Sequence, residues 1–496
     1  MGQRNPDLIL RGEVNPNQIR TYVKVPFDVP QDIERLTVAF HYTGKDQHVV
    51  LDLGIEDPRG FRGWSGGNKD TFTIGESDAT PSYIPGRIEP GRWNLLIGVP
   101  NIRQAASSYE VKIYFSHRQD HGLSAGFAEG ALRTGESWYR GDLHMHTGHS
   151  DGRCTSQAGH EVPCPVFVTA EAAVRRGLDF IAITDHNTTS QSDSLRELQP
   201  YFDRLLFISG REATTFQGHA NVFGTTEPLD FRVGSDTVPN INILLKEVHQ
   251  AGGLISINHP NAPTGEVCMG CGWTPNPAAD LKLIDAVEAV NGGAEGTPYD
   301  GLPFWEAQLN RGFRLTAIGG SDNHRPETPF EKPGSIGSPT TVVRAPELST
   351  TAILEAIRRG HVFIDLTGSR DRLLEVEVSA NGHTAIMGDE LDAPAGVPVE
   401  FAVHVAHCEG SSVRMTIDGN TASLAPAKKI SETDETIHYT WNGDGVRHWV
   451  RADVVSPEEK IELLGNPIYL NSPRSAQVHE SGSVSPTPKI EGQNAH

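Results

Sequence analysis

Two histidines, His144 and His146, are separated by one residue and lie between two acidic residues, Asp142 and Asp151. In an extended segment residues i and i+2 point to the same side, so both imidazoles can approach one ion. Neutral imidazole and carboxylate groups are ligands for zinc, manganese and iron. The spacing therefore favours a metal site at a strand end, although 21 histidines in the chain leave a chance surface pair as the alternative.

Four further clusters of potential ligands follow, and each comes after an apolar run typical of a buried strand. They comprise Asp185, His186 and Asn187 after residues 178–184; Arg211 and Glu212 after 205–209, with His219 seven residues beyond Glu212; His259 after 253–257; and Asp322 and His324 after 315–318. In α/β barrels, loops at the C-terminal strand ends meet at one mouth. Each cluster alone also fits an ordinary loop, but the repeated order of strand and ligand predicts a barrel and a metal site together.

The five clusters resemble the motifs of the polymerase and histidinol phosphatase (PHP) superfamily. Within this superfamily, the sequence is most similar to the carbaryl-hydrolase-like branch. The similarity is clearest in the first cluster and in residues 177–187, Gly-Leu-Asp-Phe-Ile-Ala-Ile-Thr-Asp-His-Asn. The resemblance is strong over about residues 138–368. It implies an α/β fold built on a distorted (β/α)7 TIM-like PHP barrel.

The resemblance also implies a trinuclear centre in which all nine ligand positions are matched. The nine ligands fall into three sets: His144, His146, Glu212 and Asp322 for one ion; Glu212, His219 and His259 for a second; and Asp151, His186 and His324 for a third. Glu212 would bridge the first two ions. Asp151 stands where some PHP phosphatases have a histidine. The implied cofactors are two or three divalent metal ions, namely zinc, manganese or iron.

Hydrolysis is the chemistry that such a centre supports. Divalent ions about 4 Å apart lower the pKa of a bound water, which makes hydroxide available, and polarise a phosphoryl or carbonyl oxygen. The superfamily resemblance implies a small phosphoester as substrate, whereas the branch resemblance implies a carbamate, ester or amide. A third interpretation is a non-catalytic metal-binding module. Candidates for proton transfer to the leaving group are Asp322, His324 and His259.

Several side chains near the ligands are candidates for contacting a substrate. Arginine and lysine match phosphate oxygens, whereas tryptophans can line an apolar pocket for an aryl leaving group. The candidates are Arg211, Arg325, Arg153 and Asn187 among the polar residues, and Trp273 and Trp305 among the aromatic ones. The alternatives are ion pairs with acidic residues for the arginines and core packing for the tryptophans.

Charge narrows the class of partner. The chain has 42 Lys and Arg residues against 63 Asp and Glu residues, a net charge of −21. Nucleic-acid binding depends on clustered Lys and Arg, so the composition argues against a nucleic-acid partner and for a small-molecule substrate. The sequence has no apolar run near 18 residues and no basic-then-apolar start, which predicts neither a membrane span nor a signal peptide in this chain.

Two cysteine pairs lie next to ligand clusters. Cys154 and Cys164 follow the first cluster, and Cys268 and Cys271 form a Cys-x-x-Cys sequence after His259. As disulfides they would fix two loops and imply an exported, periplasmic protein; as thiolates they could bind a structural zinc ion in a cytoplasmic one. Disulfides are favoured because nine residues between Cys154 and Cys164 is poor zinc-site spacing.

Changes in patterning divide the chain. Alternating segments separated by Pro, Gly and Asp predict β-sandwiches before and after the barrel, and a polar, Gly-rich stretch predicts a linker. The predicted division is an N-terminal β-sandwich over 1–118, a linker over 119–136, the barrel over 137–368, a C-terminal β-sandwich over 369–472 and a disordered tail over 473–496. The outer domains contain no ligand cluster, so they are expected to stabilise or extend the barrel.

Overall fold

The computed structural model describes residues 5–103, 105–117, 126–128, 130–266, 268–292, 297, 300–420 and 426–472. The tail predicted for residues 473–496 lies outside them, as do residues 119–125 and 129 of the predicted linker.

The described part of residues 5–117 contains eight strands, β1 Leu8–Val14, β2 Tyr22–Val29, β3 Ile33–Tyr42, β4 Val50–Asp57, β5 Gly60–Gly66, β6 Thr71–Gly75, β7 Gly91–Asn101 and β8 Ser107–His117, with short 3-10 helices at Pro16–Gln18 and Lys45–Gln47. They form two antiparallel four-stranded sheets, with strand orders β1-β8-β3-β6 and β2-β7-β4-β5. Alternate side chains of both sheets enter one shared core, including Val38, Ile55, Leu95 and Ile113. The alternating sequence therefore forms a β-sandwich.

The described central region, residues 133–365, contains eleven strands and five α-helices. The strands are β9 Arg133–Asp142, β10 Arg153–Thr155, β11 Glu161–Pro163, β12 Phe180–Ile183, β13 Leu206–Thr215, β14 Gly218–Phe223, β15 Leu254–Ile257, β16 Ala286–Asn291, β17 Thr316–Gly320, β18 Thr340–Leu348 and β19 Val362–Asp365. The helices are α1 Val166–Arg176, α2 Gln191–Leu198, α3 Ile241–Gln250, α4 Leu302–Asn310 and α5 Thr350–Arg359, with a 3-10 helix at Leu281–Leu283. Residues 133–136 of the predicted linker lie in β9.

These elements form a mixed α/β fold with many strands and few helices, and the expected TIM-like barrel is not shown. Strand β14 runs antiparallel to both of its neighbours, β13 and β15. The reason is local, because residues 216–217 alone join β13 to β14, which is the length of a hairpin turn and leaves no room for a helix. None of the five described helices is long and apolar enough to cross a membrane.

Strand β17 lies at one end of the path of hydrogen-bonded strands. Hydrogen bonds to side chains connect β17 and the residue after it to strands β18 and β9. The Gly319 N–H donates to Thr341 Oγ1 at 2.8 Å, and the Ser321 N–H donates to Asp142 Oδ1 at 3.1 Å. These contacts place the residues that follow β17 beside those that follow β9.

The C-terminal strands continue the central sheet. In the described residues after 369 they are β20 Leu373–Ala380, β21 His383–Ile386, β22 Glu390–Leu391, β23 Pro398–Ala406, β24 Ser412–Ile417, β25 Lys428–Lys429, β26 Asp434–Asn442, β27 His448–Val455, β28 Ile461–Gly465 and β29 Ile468–Leu470. Strand β28 pairs with β19, so one sheet extends from the central region across residue 369. The separate sheet β21-β20-β23-β26 packs against this extension through a common apolar core that includes Phe401 and Val454.

A buried ion-pair cluster joins the N-terminal sandwich to the central region. Asp78, which is 0% exposed, accepts hydrogen bonds from both terminal nitrogens of Arg35, at 3.1 and 2.5 Å. It also accepts one from Nε of Arg196 on α2. Arg35 donates in addition to Thr226 Oγ1 at 2.9 Å. Because a buried charge without its partner is costly, this cluster fixes the sandwich against the central region.

Candidate metal centre

Backbone contacts bring the first and last predicted ligand segments together. The buried carboxylate of Asp142, at the end of β9, accepts hydrogen bonds from the N–H groups of His144 at 3.2 Å and Ser321 at 3.1 Å. The His146 N–H donates to the Asn323 carbonyl at 2.9 Å. The loop that follows β9 and the loop that follows β17 are therefore held side by side.

The Glu212 carboxylate, on β13, lies at the centre of the cluster and is 1% exposed. Five imidazoles surround its two oxygens. The nearest ring nitrogens lie 2.9 Å (His186) and 3.6 Å (His146) from Oε2, and 3.2 Å (His219), 3.3 Å (His259) and 3.4 Å (His144) from Oε1. Donor atoms for cations therefore lie around both oxygens of this carboxylate.

Asp322 provides a second carboxylate on the side of His144 and His146. Its Oδ1 lies 3.1 Å from His146 Nε2 and 3.3 Å from His144 Nε2. The Asp322 backbone is in the left-handed region, with φ of 54°, as are those of Asn187 at 55° and His259 at 27°. Non-glycine residues in this region are strained and concentrate at functional sites, and these three all lie just beyond strand ends.

Asp151 provides the third carboxylate, on the solvent side of the cluster. Its Oδ1 lies 3.3 Å from His324 Nε2 and 3.7 Å from His186 Nε2. The side chains of Asp151 and His324 are 54% and 39% exposed, so the cluster opens to solvent here. Buried Asp185 fixes the loop before Asp151 by accepting hydrogen bonds from the Thr147 N–H at 2.7 Å and from Ser150 Oγ at 2.6 Å.

The charges of the cluster shift the pKa values of its members in opposite directions. Burial opposes ionisation of Glu212, but His144 and the other imidazoles outweigh it and hold the pKa of the carboxyl well below its usual range. Burial lowers the pKa of His324, but Asp151 and Asp322 outweigh it and raise that pKa to about 9. The carboxylates thus favour the protonated form of His324, and a divalent cation bound there would replace that proton.

The donor set fits divalent cations. Four buried ring nitrogens have no hydrogen-bond partner in the described chain: His144 Nε2, His146 Nδ1, His219 Nε2 and His259 Nδ1. A buried polar atom without a partner costs about 1–3 kcal/mol, so four in one cluster indicate that something else satisfies them. Oxygen and imidazole donors of this kind suit zinc, manganese or iron.

Potential ligand atoms within 4.8 Å of one another form four groups in the described residues. The groups are His146, Asp151, His186 and His324; His144, His146 and Glu212; His144, His259 and Asp322; and His219, His259 and Cys271. All nine residues predicted as ligands occur in them. The three residues predicted for the third ion form one group, which also contains His146. His259 belongs to two groups, one with Asp322 and one with His219.

Glu288, in the middle of β16, is a functional candidate that the sequence analysis missed. Its Oε1 lies 2.8 Å from His144 Nδ1, and its Oε2 accepts hydrogen bonds from the His259 N–H at 3.0 Å and from Asn291 Nδ2 at 2.9 Å. A carboxylate that accepts from Nδ1–H leaves Nε2 of His144 unprotonated and free to bind an ion. The one available signal was an acidic residue within an apolar strand.

We predict that Glu288→Gln weakens metal binding about 10–100-fold, which is typical for the loss of a partner that orients a ligand. The new amide can donate to His144 Nδ1 and move the ring proton to Nε2, the atom that faces Asp322. Metal affinity measured by chelator competition tests this. Glu400→Gln, at an exposed position of strand β23, is the matched control, and equal affinity in both variants would contradict the role given to Glu288.

Three of the four polar residues predicted to contact substrate are engaged with the protein, whereas Arg153 lies exposed on β10. Arg211 is buried and donates to the Glu227 carbonyl. Arg325 pairs with Glu161 on the surface. Asn187 bridges the backbone of Thr214 through bonds of 2.8 and 3.0 Å. These side chains position loops of the protein.

The two tryptophans differ in position. Trp305 is fully buried and donates from Nε1 to the Leu315 carbonyl at 2.7 Å, so it belongs to the core. Trp273 is half-buried and covers Gly218, where an added Cβ would lie 2.4 Å from its ring. Trp273 therefore lies beside the hairpin that carries His219.

The two cysteine pairs are in different states. Cys268 and Cys271 form a disulfide. Cys154 and Cys164, on and beside the β10–β11 hairpin, are buried free thiols. Burial, followed by the contact with Cys154, raises the pKa of the Cys164 thiol. No metal-capable group in the described residues contains two cysteines, so the four thiols do not lie as one zinc site.

Comparison with known proteins gives weak similarities. No family model and no curated protein matches the chain. A two-domain protein from Bacteroides vulgatus, containing a predicted PHP-like metal-dependent phosphoesterase, is 20% identical over 68% of this chain and 96% of its own, with a TM-score of 0.38. The CARDB domain of a Pyrococcus furiosus protein is 14% identical over 20% of this chain and 94% of its own, with a TM-score of 0.13. Similarity at these levels does not assign the chain to a family.

Proposed function

We propose that the chain is a metal-dependent hydrolase of the PHP superfamily that cleaves small phosphoesters. The observation that supports this is the convergence of eight histidine and aspartate side chains around buried Glu212. They come from segments spread over residues 144–324, yet their donor atoms approach one another within a few ångströms. A group of four unsatisfied ring nitrogens within this cluster has no evident structural purpose without bound cations.

In this proposal the three ligand sets given by the motif resemblance hold two or three divalent ions, with Glu212 as the bridge. Bound ions of this kind supply Lewis acidity and an activated water at neutral pH. The carboxylates orient the imidazoles, and Glu288 fixes the ring of His144 through a hydrogen bond with Nδ1. Asp185 keeps the loop of Asp151 in place.

Charge supports a phosphoester over a neutral substrate. Only three carboxylates, those of Asp151, Glu212 and Asp322, belong to the four metal-capable groups of the described residues. Three divalent ions would exceed that negative charge and leave the centre positive. A positive, partly enclosed centre stabilises the negative charge of a phosphoryl group in both its bound and transition states.

His324 is the proposed proton donor to the leaving group. Of the three candidates, Asp322 and His259 have less exposed side chains, at 26% and 9%, whereas that of His324 is 39% exposed on the open side. Its Nδ1 lies 2.8 Å from the Asp322 carbonyl, which orients the ring. With two ions bound and the third position empty, this imidazole keeps its proton because Asp151 and Asp322 raise its pKa, and it can donate that proton; an ion at the third position would replace it.

One observation favours a second candidate, the hydrolysis of a carbamate, ester or amide. A phosphate pocket commonly uses arginine forks. Arg211 is engaged with a backbone carbonyl and Arg325 with Glu161, so neither of these predicted cations is directed at a substrate. Half-buried Trp273 could instead contact an aryl group of a neutral substrate.

A substrate panel separates these functions. Metal-reconstituted protein would be assayed with aryl phosphate monoesters and diesters, aryl carbamates and aryl acetates, and metal content would be measured on the same sample. We expect turnover of a phosphoester that Glu212→Gln abolishes. Preferential turnover of carbamates or acetates would support the second candidate, and full metal content without any turnover would indicate a binding module.

A further inference from the structure

Cys271 lies among the metal-ligand candidates, although the motif resemblance does not include it. Its Sγ and one ring nitrogen each of His219 and His259 lie within 4.8 Å of one another. Cys271 is 4% exposed, and both histidines are buried as well. A thiolate and two imidazoles at this separation are a common donor set for zinc.

The position of Cys271 is fixed from both sides. Trp273, two residues later, donates from its N–H to the carbonyl of Pro260, next to His259, at 2.9 Å. The Thr274 N–H donates to the Gln217 carbonyl, two residues before His219, at 2.8 Å. The hairpin that carries His219 and the loop that carries His259 therefore both hold the segment that carries the cysteine.

Gly270 shows how closely this segment packs. Its φ is +80°, and an added Cβ would lie 2.3 Å from the Thr215 carbonyl oxygen of β13. A side chain at this position would push the Cys268–Cys271 turn away from the β13–β14 hairpin. The turn is thus built to sit against the hairpin that carries His219.

Both histidines have donor capacity that the protein does not use. Nε2 of His219 and Nδ1 of His259 are buried without a hydrogen-bond partner in the described chain. Cys271, however, is bonded to Cys268, and a disulfide sulfur is a poor metal ligand compared with a thiolate. The state of the disulfide therefore decides whether a third ligand is available to these two rings.

We propose that reduction of the Cys268–Cys271 disulfide makes Cys271 a metal ligand together with His219 and His259. The disulfide is then a redox switch on one position of the metal centre. This inference rests on the metal centre proposed above. Because thiolate is a softer donor than carboxylate, the reduced form should favour zinc over manganese at this position.

The reduction requires a dithiol as the reductant. One reductant thiolate attacks Sγ of Cys268, which is half-buried and more accessible than Cys271; the sulfur–sulfur bond breaks and Cys271 leaves as a thiolate. The second thiol of the reductant then displaces Cys268, which takes up a proton. The reductant becomes a cyclic disulfide, two electrons enter the protein, and one proton is released if Cys271 stays unprotonated.

Cobalt(II) substitution tests the proposal without an activity assay, because thiolate ligation of cobalt(II) produces a near-ultraviolet charge-transfer band. We expect no band in the oxidised protein and a band after treatment with a dithiol. Cys268→Ser should show the band without reductant, since it frees Cys271. Cys271→Ser should lack the band in every state, although both variants remove the same disulfide.

The outcomes also separate this proposal from the one on which it rests. Cobalt bound in reduced wild type and in Cys268→Ser, but without the band, would overturn the role of Cys271 and leave the metal centre intact. A band that persists in Cys271→Ser would come from another thiol, such as Cys154, and would overturn it too. Failure to bind cobalt in any state would overturn the metal centre and, with it, this inference.

Discussion

Replacing Glu212 with glutamine should remove at least one equivalent of bound metal and lower kcat/KM by about 10³-fold or more. The carboxylate is the one group that five imidazoles face, so its loss affects every ion that it would contact. A neutral amide cannot bridge two cations through two anionic oxygens. Loss of about 4 kcal/mol of transition-state charge stabilisation corresponds to this change in rate.

The measurement combines metal analysis of the purified variant with kinetics on the best substrate of the panel. Glu400→Gln makes the same chemical change on an exposed strand position and should leave both quantities unchanged. Near-ultraviolet circular dichroism of both variants establishes that the fold is retained. Full activity with unchanged metal content in Glu212→Gln would show that Glu212 is not a ligand.

Several members of the cluster could be found from the sequence because they follow one simple rule. His186 comes three residues after β12, His259 two residues after β15, and Asp322 two residues after β17, so each lies near a strand end beside its neighbours. Apolar runs of four or five residues identify such strands even when the overall fold is not known. Position relative to a strand end therefore carried most of the information about the site.

Residues that act from within a strand could not be found in this way. Glu288 lies in the middle of β16, where both faces are buried, so no alternation of polar and apolar residues marks the side that faces His144. His219 lies in β14, whose antiparallel direction comes from a two-residue turn in place of a helical connection. The same turn interrupts the alternation of strands and helices that a regular barrel requires.

The roles of the polar candidates depend on tertiary contacts that no local pattern encodes. Arg211 is next to Glu212 in sequence, but adjacent residues of a strand point to opposite sides. Arg211 consequently turns away from the cluster toward the Glu227 carbonyl. Cys271, in contrast, lies far from His219 in sequence but close to it in the fold. Its proximity to His219 and His259 depends on separate segments packing against each other.

Asp78→Ala should lower the free energy of unfolding by about 3–5 kcal/mol, the range for a buried charge pair broken from one side. The substitution leaves the charges of Arg35 and Arg196 without their carboxylate partner, and it removes the ion pair between the N-terminal sandwich and Arg196 of α2. Denaturant unfolding at neutral pH, with limited proteolysis to detect release of the sandwich, measures the effect. Asp28→Ala breaks the exposed Asp28–Arg92 pair of the same sandwich and should cost less than about 1 kcal/mol.

The pH dependence of the difference between wild type and Asp78→Ala tests the cause. Burial raises the pKa of Asp78, but Arg35 and Arg196 outweigh it and hold the pKa below its usual value. The carboxylate therefore stabilises the folded state fully above the unfolded pKa of about 3.9, and this contribution is lost as pH falls through the lower folded-state pKa. Because Asp78 lies outside the ligand cluster, folded Asp78→Ala protein should retain its metal. Loss of metal in a folded variant would mean that the sandwich shapes the centre as well as stabilising the chain.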